Sequence, residues 1–470
     1  MGLTRRRGVQ QRTIIIAVCV LVFLFWQTPI LSYCTNSNPG TSEESPSYIS
    51  DEKAPVLPAE EKIPRYGDAK YELPCSRLPG ANDTVMIIKT GSTEFTDKLP
   101  VHLTTTTLCY PNYLIFSDHE EHYQGQHIID ALQDVSPDLR ASHPDFELYR
   151  RINERGRAAL AAEELNRVPG DPSAWTGHTD NPGWKLDKWK FLPMVNRTYQ
   201  EYPDKKWYVF VEADTYILWA SLLQWLKTMD HNEPHYHGNQ MAISGDLFAH
   251  GGSGFIVSQK AMKMVVDHFY EHKEDIERFT DIHWAGDCVL GKAYRESGVP
   301  FTFSWPVLQT DHPGLIPYVE PDGQVVSGIK KRPWCFPTVS YHHVDAPVVE
   351  DLWKFEQQWI GTRDENDTGF LRHHDFFAQY TIPRMVTPKT DWDNVSDQNE
   401  AVVETFEDCR QLCEKDSGCK QYSLREGGVC RMSYAPSLGT KADGVRSGWM
   451  VDRMWSLHDN MPGCTDEGWL

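Results

Sequence analysis

The stretch "KKWYVFVEADTYILWASLLQWL", residues 205–226, carries an apolar run from Trp207 to Val211, breaks at Glu212-Ala-Asp214, and resumes in an aromatic-rich segment. A run of β-branched and aromatic residues without alternation reads as a strand buried on both faces, the pattern of a parallel sheet covered by helices. The two carboxylates then fall at the C-terminal end of that strand, the edge at which open α/β sheets bind their ligands. Residues i and i+2 of an extended strand share a face, so Glu212 and Asp214 are expected to point at one spot. Two such carboxylates make a hard-oxygen site for Mg²⁺ or Mn²⁺, and the ion can grip phosphate oxygens. Read alone, the same residues are also the solvated end of a strand.

Upstream, "TVMIIK" (Thr84–Lys89) and "YLIFSD" (Tyr113–Asp118) read as two further strands. Between the second of these and residue 205 lie helix-compatible runs, "DFELYRRINERGRAALAAEELNRV" and "WKLDKWKFLPMVNRTYQ". Strand, long helical crossover and strand is the order of an α/β domain with a mainly parallel central sheet.

Three constellations follow downstream. "HGGSGFIVSQKAM" (His250–Met262) places Gly251, Gly252 and Gly254 where a backbone turns tightly or approaches a ligand, before an apolar strand and a helix. "HWAGDCVLGKAYRESGV" (His283–Val299) puts Asp287 at the start of a helix, where the dipole favours a carboxylate. "PTVSYHHVDAP" carries His342 and His343 after a short β-like run; one of them is a candidate metal ligand, while a lone histidine is more often packing or solvated.

The rest of the 470 residues sets the context. The formal charge of −20 argues against a nucleic-acid backbone as partner, and means that an anionic substrate must be met by a metal ion or a few placed cations. Thr13 to Tyr33 contains no charged residue and would reach about 31 Å as a helix, enough to cross a bilayer core. Arg5, Arg6, Arg7 and Arg12 precede it, which leaves a short cytosolic tail and a luminal remainder; a cleaved signal peptide is the other reading. Residues 34–80 are rich in Pro, Ser and Glu and read as a flexible stem. Sequons at Asn82, Asn196, Asn366 and Asn394, and ten cysteines outside the apolar run, suit an oxidising lumen. Near residue 390 the composition shifts again: Cys409, Cys413, Cys419 and Cys430 crowd a segment with one helix and short strands behind it, a piece small enough to need disulfide staples.

The ordered series "EADTY", "HGGSGFIVS", "GDCVLG" and "SYHHV" resembles the fringe and core-1 β1,3-galactosyltransferase branch of glycosyltransferase family 31, over about residues 81–360. "TLCYPNYLIFSDHEEHYQG" and "GWKLDKWKFLPMV" resemble that family's upstream donor-domain segments, and the cysteine segment is similar to a PAN/Apple module. The resemblance implies a GT-A (Rossmann-like) domain at 81–385, a PAN/Apple-like α+β module at 390–470, and inverting transfer from a UDP-sugar to a glycan or glycoprotein. It implies that Glu212 and Asp214 take the place of the family's DxD motif and His342 that of its later metal-binding histidine. Together these would hold Mn²⁺ on the diphosphate, with Asp287 as general base and Gly251, Gly252 and Gly254 letting main chain approach the sugar. Glu212 stands where the family commonly has Asp, which makes Asp214 the firmer ligand. Galactose in β1,3 linkage follows from the core-1 likeness, with N-acetylglucosamine, as in fringe, the competitor. A type II Golgi or ER membrane enzyme is the resulting expectation; a luminal lectin or adhesion protein built on the PAN-like module is the reading from another class. Glycoside hydrolysis would need a paired acid and nucleophile or base, and leaves the glycines and the histidine without a role. The expected disulfides are Cys75–Cys109, Cys288–Cys335, Cys409–Cys430 and Cys413–Cys419.

Overall fold

In the chain's centre the apolar runs pair as strands because each is too hydrophobic to face water on either side. The computed structural model describes residues 73–165, 181–318, 324–326, 329–331, 333–362, 370–461, 463–464 and 469, all within one compact unit, Pro64–Leu470. The expected cytosolic tail, transmembrane segment and most of the stem lie outside the described residues, as does Asn366. Among the described residues no helix is long and apolar enough to cross a membrane.

The strands in chain order are β1 (Thr84–Lys89), β2 (Tyr113–Ser117), β3 (Glu121–Tyr123), β4 (Gln126–Asp130), β5 (Trp207–Glu212), β6 (Tyr216–Ile217), β7 (Tyr236–Gly238), β8 (Gln240–Ile243), β9 (Asp246–Ala249), β10 (Phe255–Ser258) and β11 (Phe301–Phe303). Eight of them form the central sheet in the order β11-β7-β10-β5-β1-β2-β4-β3. β5, β1, β2 and β4 run parallel, and β10 enters antiparallel between β5 and β7. β3 and β4 form a hairpin inside the expected helical crossover, turning through Gln124 and Gly125, both at positive φ.

Helices cover both faces: α1 (Phe95–Thr104), α2 (Pro137–Ser142), α3 (Glu147–Arg155), α4 (Pro182–Asp187), α5 (Phe191–Glu201), α6 (Trp219–Leu226), α7 (Gln259–Ile282) and α8 (Gly286–Glu296). Alternate residues of each strand divide between the two cores. Val85, Ile87, Tyr208 and Phe210 meet α5, α7 and α8, whereas Met86, Ile88, Val209 and Val211 meet α1 and α6. That two-sided burial is the reason for the unbroken apolar runs. The long helical run expected from Asp145 onward is cut short, because α3 ends at Gly156, whose φ of 67° leaves the helix.

The later part adds a β12–β13 hairpin (Gln324–Val326 and Ile329–Lys331), β14 (Ser340–Tyr341), which pairs antiparallel with β6, then α9 (Ala346–Gly361) and α10 (His373–Phe376). The cysteine-rich segment is a five-stranded antiparallel sheet: β15 (Lys389–Asp393), β16 (Asn399–Val402), β17 (Gln421–Arg425), β18 (Val429–Ser433) and β19 (Thr440–Trp449), in the order β15-β19-β17-β18-β16. Helix α11 (Phe406–Lys415) packs on it through Cys409 and Cys413, and α12 (Val451–Asn460) follows. This segment does not stand apart. Leu438, Trp449 and Met454 share a core with Tyr341, Phe376 and Trp353, and the amide of Gly439 donates to the carbonyl of Gly314 at 2.8 Å.

Three disulfides are as expected: Cys75–Cys109, Cys409–Cys430 and Cys413–Cys419. The fourth is not. Cys335 bonds Cys464, 129 residues away, and Cys288 is a free, buried thiol. The reason is placement: Cys288 lies on the first turn of α8 against Phe248 and Ala285, whereas Cys335 lies where the C-terminal segment returns. The sequons differ too. Asn82 is exposed, but Asn196 is buried on α5, and Asn394 is fully buried with its amide donating to the carbonyls of Tyr422 and Gly448. Non-reducing peptide mapping should recover a Cys335–Cys464 linked peptide and label Cys288 with a thiol reagent only after denaturation; a Cys288–Cys335 peptide would contradict the fold described here.

Candidate active site

The carboxyl ends of β1 and β5 are in register, with Lys89 opposite Glu212. Both side chains leave the sheet on the α5 side, and Lys89 Nζ sits 3.1 Å from Glu212 Oε1 and 2.6 Å from Asp187 Oδ2, above the Phe191 ring. Burial opposes the charge on Lys89, and Asp187 and Glu212 more than offset it, so the ammonium is held above its ordinary range. Lys190, also buried, extends the cluster to Asp118 Oδ2 (3.3 Å) and the carbonyl of Thr90 (3.0 Å). Asp118 in turn accepts from the amide of Ser92 at 2.9 Å.

Asp214 goes elsewhere. The strand stops at Glu212, whose carbonyl accepts the amide of Thr215 at 2.9 Å, and this turn ends the extended geometry that would have put both carboxylates on one face. The carboxylate of Asp214 reaches Lys98 of α1 (Nζ–Oδ2 2.8 Å) and His342 (Nε2–Oδ1 3.3 Å). Burial would raise the Asp214 carboxyl, but Lys98 and His342 outweigh it and hold it well below the usual range. Burial would likewise discharge His342, and Asp214 reverses that, raising its affinity for a proton. Asp214, His342 and His343 each offer a ligand atom, all within 4.8 Å of one another. Glu212 lies outside that trio.

The glycine turn closes the site. Gly252 lies against the His342 ring so tightly that a Cβ there would be 2.2 Å from Nε2, and Thr215 Oγ1 donates to its carbonyl at 2.7 Å. Gly254, at φ +74°, turns the chain into β10. The Gly251 amide donates to Asp287 Oδ2 at 3.1 Å, and the Cys288 amide to Oδ1 at 2.9 Å. Asp287 thus stands in the first turn of α8, tied to the glycine turn and facing the charge of Glu212. Burial pushes its pKa up to about 6, against the two amide bonds, and the nearby Glu212 adds to the rise. A buried carboxylate whose pKa is raised toward neutrality can accept a proton near pH 7.

The sheet edge brings together Asp214, His342, Gly252 and Thr215, with Asp287 bonded to Gly251 on the same turn. Lys89, Asp187, Lys98 and Lys190 belong to the same edge and were not singled out from the sequence. Only the register Lys89↔Glu212 was within reach, from two buried runs that each end in a charge; Lys98 sits in "FTDKLPVHLT", which carries no local signal.

In mostly parallel α/β sheets the carboxyl edge is where ligands bind, and here acids and histidines gather at that edge. Residues 185–305 match the family model described as "Fringe: Fringe-like", and a Fringe-like domain implies glycosyltransferase chemistry. That span contains Asp187, Glu212, Asp214, the three glycines and Asp287; His342, His343 and the cysteine-rich segment lie beyond it.

Two outcomes follow from this geometry. Gly252→Ala should force the His342 ring aside, costing about 1–3 kcal/mol of stability, read as a lower denaturation midpoint; a neutral substitution would mean that the glycine turn is looser than described. Asp287 binds a proton more tightly folded than unfolded, so its ionisation destabilises the fold above pH 6, less between 6 and 4, and not at all below. In Asp287→Asn the new side chain accepts from only one of the two amides, so the variant starts below wild type at about pH 4, and its stability relative to wild type should rise between pH 4 and 7.5 by on the order of 2 kcal/mol; thermal unfolding at the two pH values checks this.

Proposed function

We propose that the chain is an inverting, metal-dependent glycosyltransferase that moves a hexose from a UDP-sugar to a glycan or glycoprotein acceptor, acting in the secretory pathway as a type II Golgi or ER membrane protein. The observation that carries this reading is the meeting of Asp214 and Asp287, inside the Fringe-like span, with His342, downstream of it, at one sheet edge around a glycine turn. Galactose in β1,3 linkage is the transfer we favour, because the motif series resembles the core-1 branch; N-acetylglucosamine is the fringe-type alternative.

The roles divide by position. Asp287 is the general base: its carboxylate takes the proton of the acceptor hydroxyl as that oxygen bonds to the anomeric carbon and the bond to the UDP oxygen breaks. One displacement inverts the anomeric centre and needs no nucleophilic carboxylate. Asp214 and His342 would hold Mn²⁺; a carboxylate oxygen and an imidazole nitrogen 3.3 Å apart, Asp214 Oδ1 and His342 Nε2, are a donor pair that fits such an ion. When bound, the ion supplies Lewis-acid neutralisation of charge on the departing diphosphate. Glu212 is engaged by Lys89 and would reach the ion only after giving up that pair. Gly251, Gly252 and Gly254, with no side chains, would let main chain approach the sugar.

The cysteine-rich segment, which we read as PAN/Apple-like, shares a core with α9 and α10 and hydrogen-bonds to residue 314. That packing supports a fixed wall beside the domain over a freely tethered recruiter.

Isothermal titration of the full-length chain with UDP tests the reading. Binding should need Mn²⁺ and weaken at least tenfold in Asp214→Ala; metal-independent or absent binding by the folded protein would move the weight to a luminal lectin or adhesion role. Asp287→Asn should keep UDP binding while turnover falls on the order of 100-fold, and unchanged turnover would remove Asp287 from the mechanism.

A further inference from the structure

Consecutive residues of an extended strand point to opposite faces, yet His342 and His343 do not. β14 ends at Tyr341, and His343 takes a φ of 57°, a left-handed conformation uncommon outside glycine, with its ring centroid 3.8 Å from that of His342. Both histidines therefore bring a ring nitrogen within 4.8 Å of an Asp214 oxygen. The backbone around them is fixed on both sides. Tyr341 pairs with Tyr216, the His342 amide donates to the Asp311 carbonyl at 3.2 Å, and the Val344 amide donates to the Asp214 carbonyl at 3.0 Å. Lys98 occupies Asp214 Oδ2 and leaves Oδ1 on the histidine side. Asp214 is 9% exposed and His342 5%, and Asp214 Oδ1 faces His342 Nε2 at 3.3 Å.

We propose that His343 is a third protein ligand, so that Asp214, His342 and His343 bind a divalent cation on their own, before any nucleotide arrives. This rests on the reading of Asp214 and His342 as a metal site, and adds a ligand and an order of binding to it. Two imidazole nitrogens and one carboxylate oxygen form a donor set suited to Co²⁺, Zn²⁺ or Mn²⁺ and poorly suited to Mg²⁺, which demands an oxygen octahedron. A site with one carboxylate and one imidazole would lean on the diphosphate for the remaining ligands, and cation binding would then wait for the nucleotide.

The test is Co²⁺ titration of the full-length chain without nucleotide, followed by calorimetry and by the visible absorption of the bound ion. Wild type should bind one Co²⁺ with nitrogen-ligand absorption, and Mg²⁺ should compete weakly. His343→Gly, which suits the left-handed backbone and removes the ring, should weaken nucleotide-free binding at least tenfold, and added imidazole should restore it. With UDP present the difference between wild type and His343→Gly should shrink. Equal Co²⁺ affinity in wild type and His343→Gly, or no binding by wild type until UDP is added, overturns the third ligand and leaves the two-residue site standing. Co²⁺ binding that persists unchanged in both Asp214→Ala and His342→Ala would instead remove the metal site itself.

Discussion

The hydrogen bond from the Thr215 amide to the Glu212 carbonyl, 2.9 Å, divides the acids of Glu212-Ala-Asp214 between two sides of the sheet edge. Glu212 stays with the strand and faces Lys89 and α5. Asp214 is thrown to the opposite side, where Lys98 from α1 and His342 from beyond β14 can meet it. Everything that makes the edge chemically interesting follows from that separation. The glycine turn can enter between the two acids because no side chain fills the gap: a Cβ at 251 would come within 2.9 Å of Glu212 Oε1, and one at 252 would strike His342.

Electrostatics then decides what each group can do. The chain carries a formal charge of −20, but its sheet edge holds three lysines, Lys89, Lys98 and Lys190, each against at least one carboxylate. Removing one partner from the fully buried Lys190–Asp118 pair is expected to cost about 3–5 kcal/mol, because the other charge is left without compensation. The lysines are thus fixed, and they keep Asp187 and Asp214 ionised. Asp287 makes no ion pair among the described residues, and its two amide bonds and the more distant Lys89 do not offset burial, which raises it instead. One edge therefore presents a firmly charged acid, Asp214, and an acid whose pKa burial has raised, Asp287, which is the division the proposed roles call for.

The fold was largely legible because two-sided burial writes itself as unbroken apolar runs: β1, β2 and β5 stand out as "TVMIIK", "YLIFS" and "WYVFVE". The hairpin β3–β4 was not, since its polar residues sit at the sheet's exposed margin, and Gln124-Gly125 is a weaker turn signal than Asn-Gly. At the sheet edge, the residues that the sequence singles out are those with unusual neighbours: Asp214 after a buried strand, the glycines, and Asp287 at a helix start. Lys98 was not legible, because what matters is its position across the fold, and of the two histidines named in the sequence, His343 owes its placement to a left-handed backbone that the pattern does not encode. Two features read from short patterns depended on burial that the pattern does not encode. Asn394 satisfies the sequon but is fully enclosed, and Cys288 satisfies an even cysteine count but faces a core with no thiol in reach.

Hydrogen–deuterium exchange of the full-length chain with and without UDP and Mn²⁺ addresses the sheet edge most directly, since it reports where the nucleotide sits without presuming a sugar. Slower exchange should appear together at 89–93, 212–216, 250–254 and 340–344, and nowhere on the far end of the sheet. Protection confined to residues 390–461, or none at the carboxyl ends of β1 and β5, would contradict the assignment of this edge as the nucleotide-sugar site.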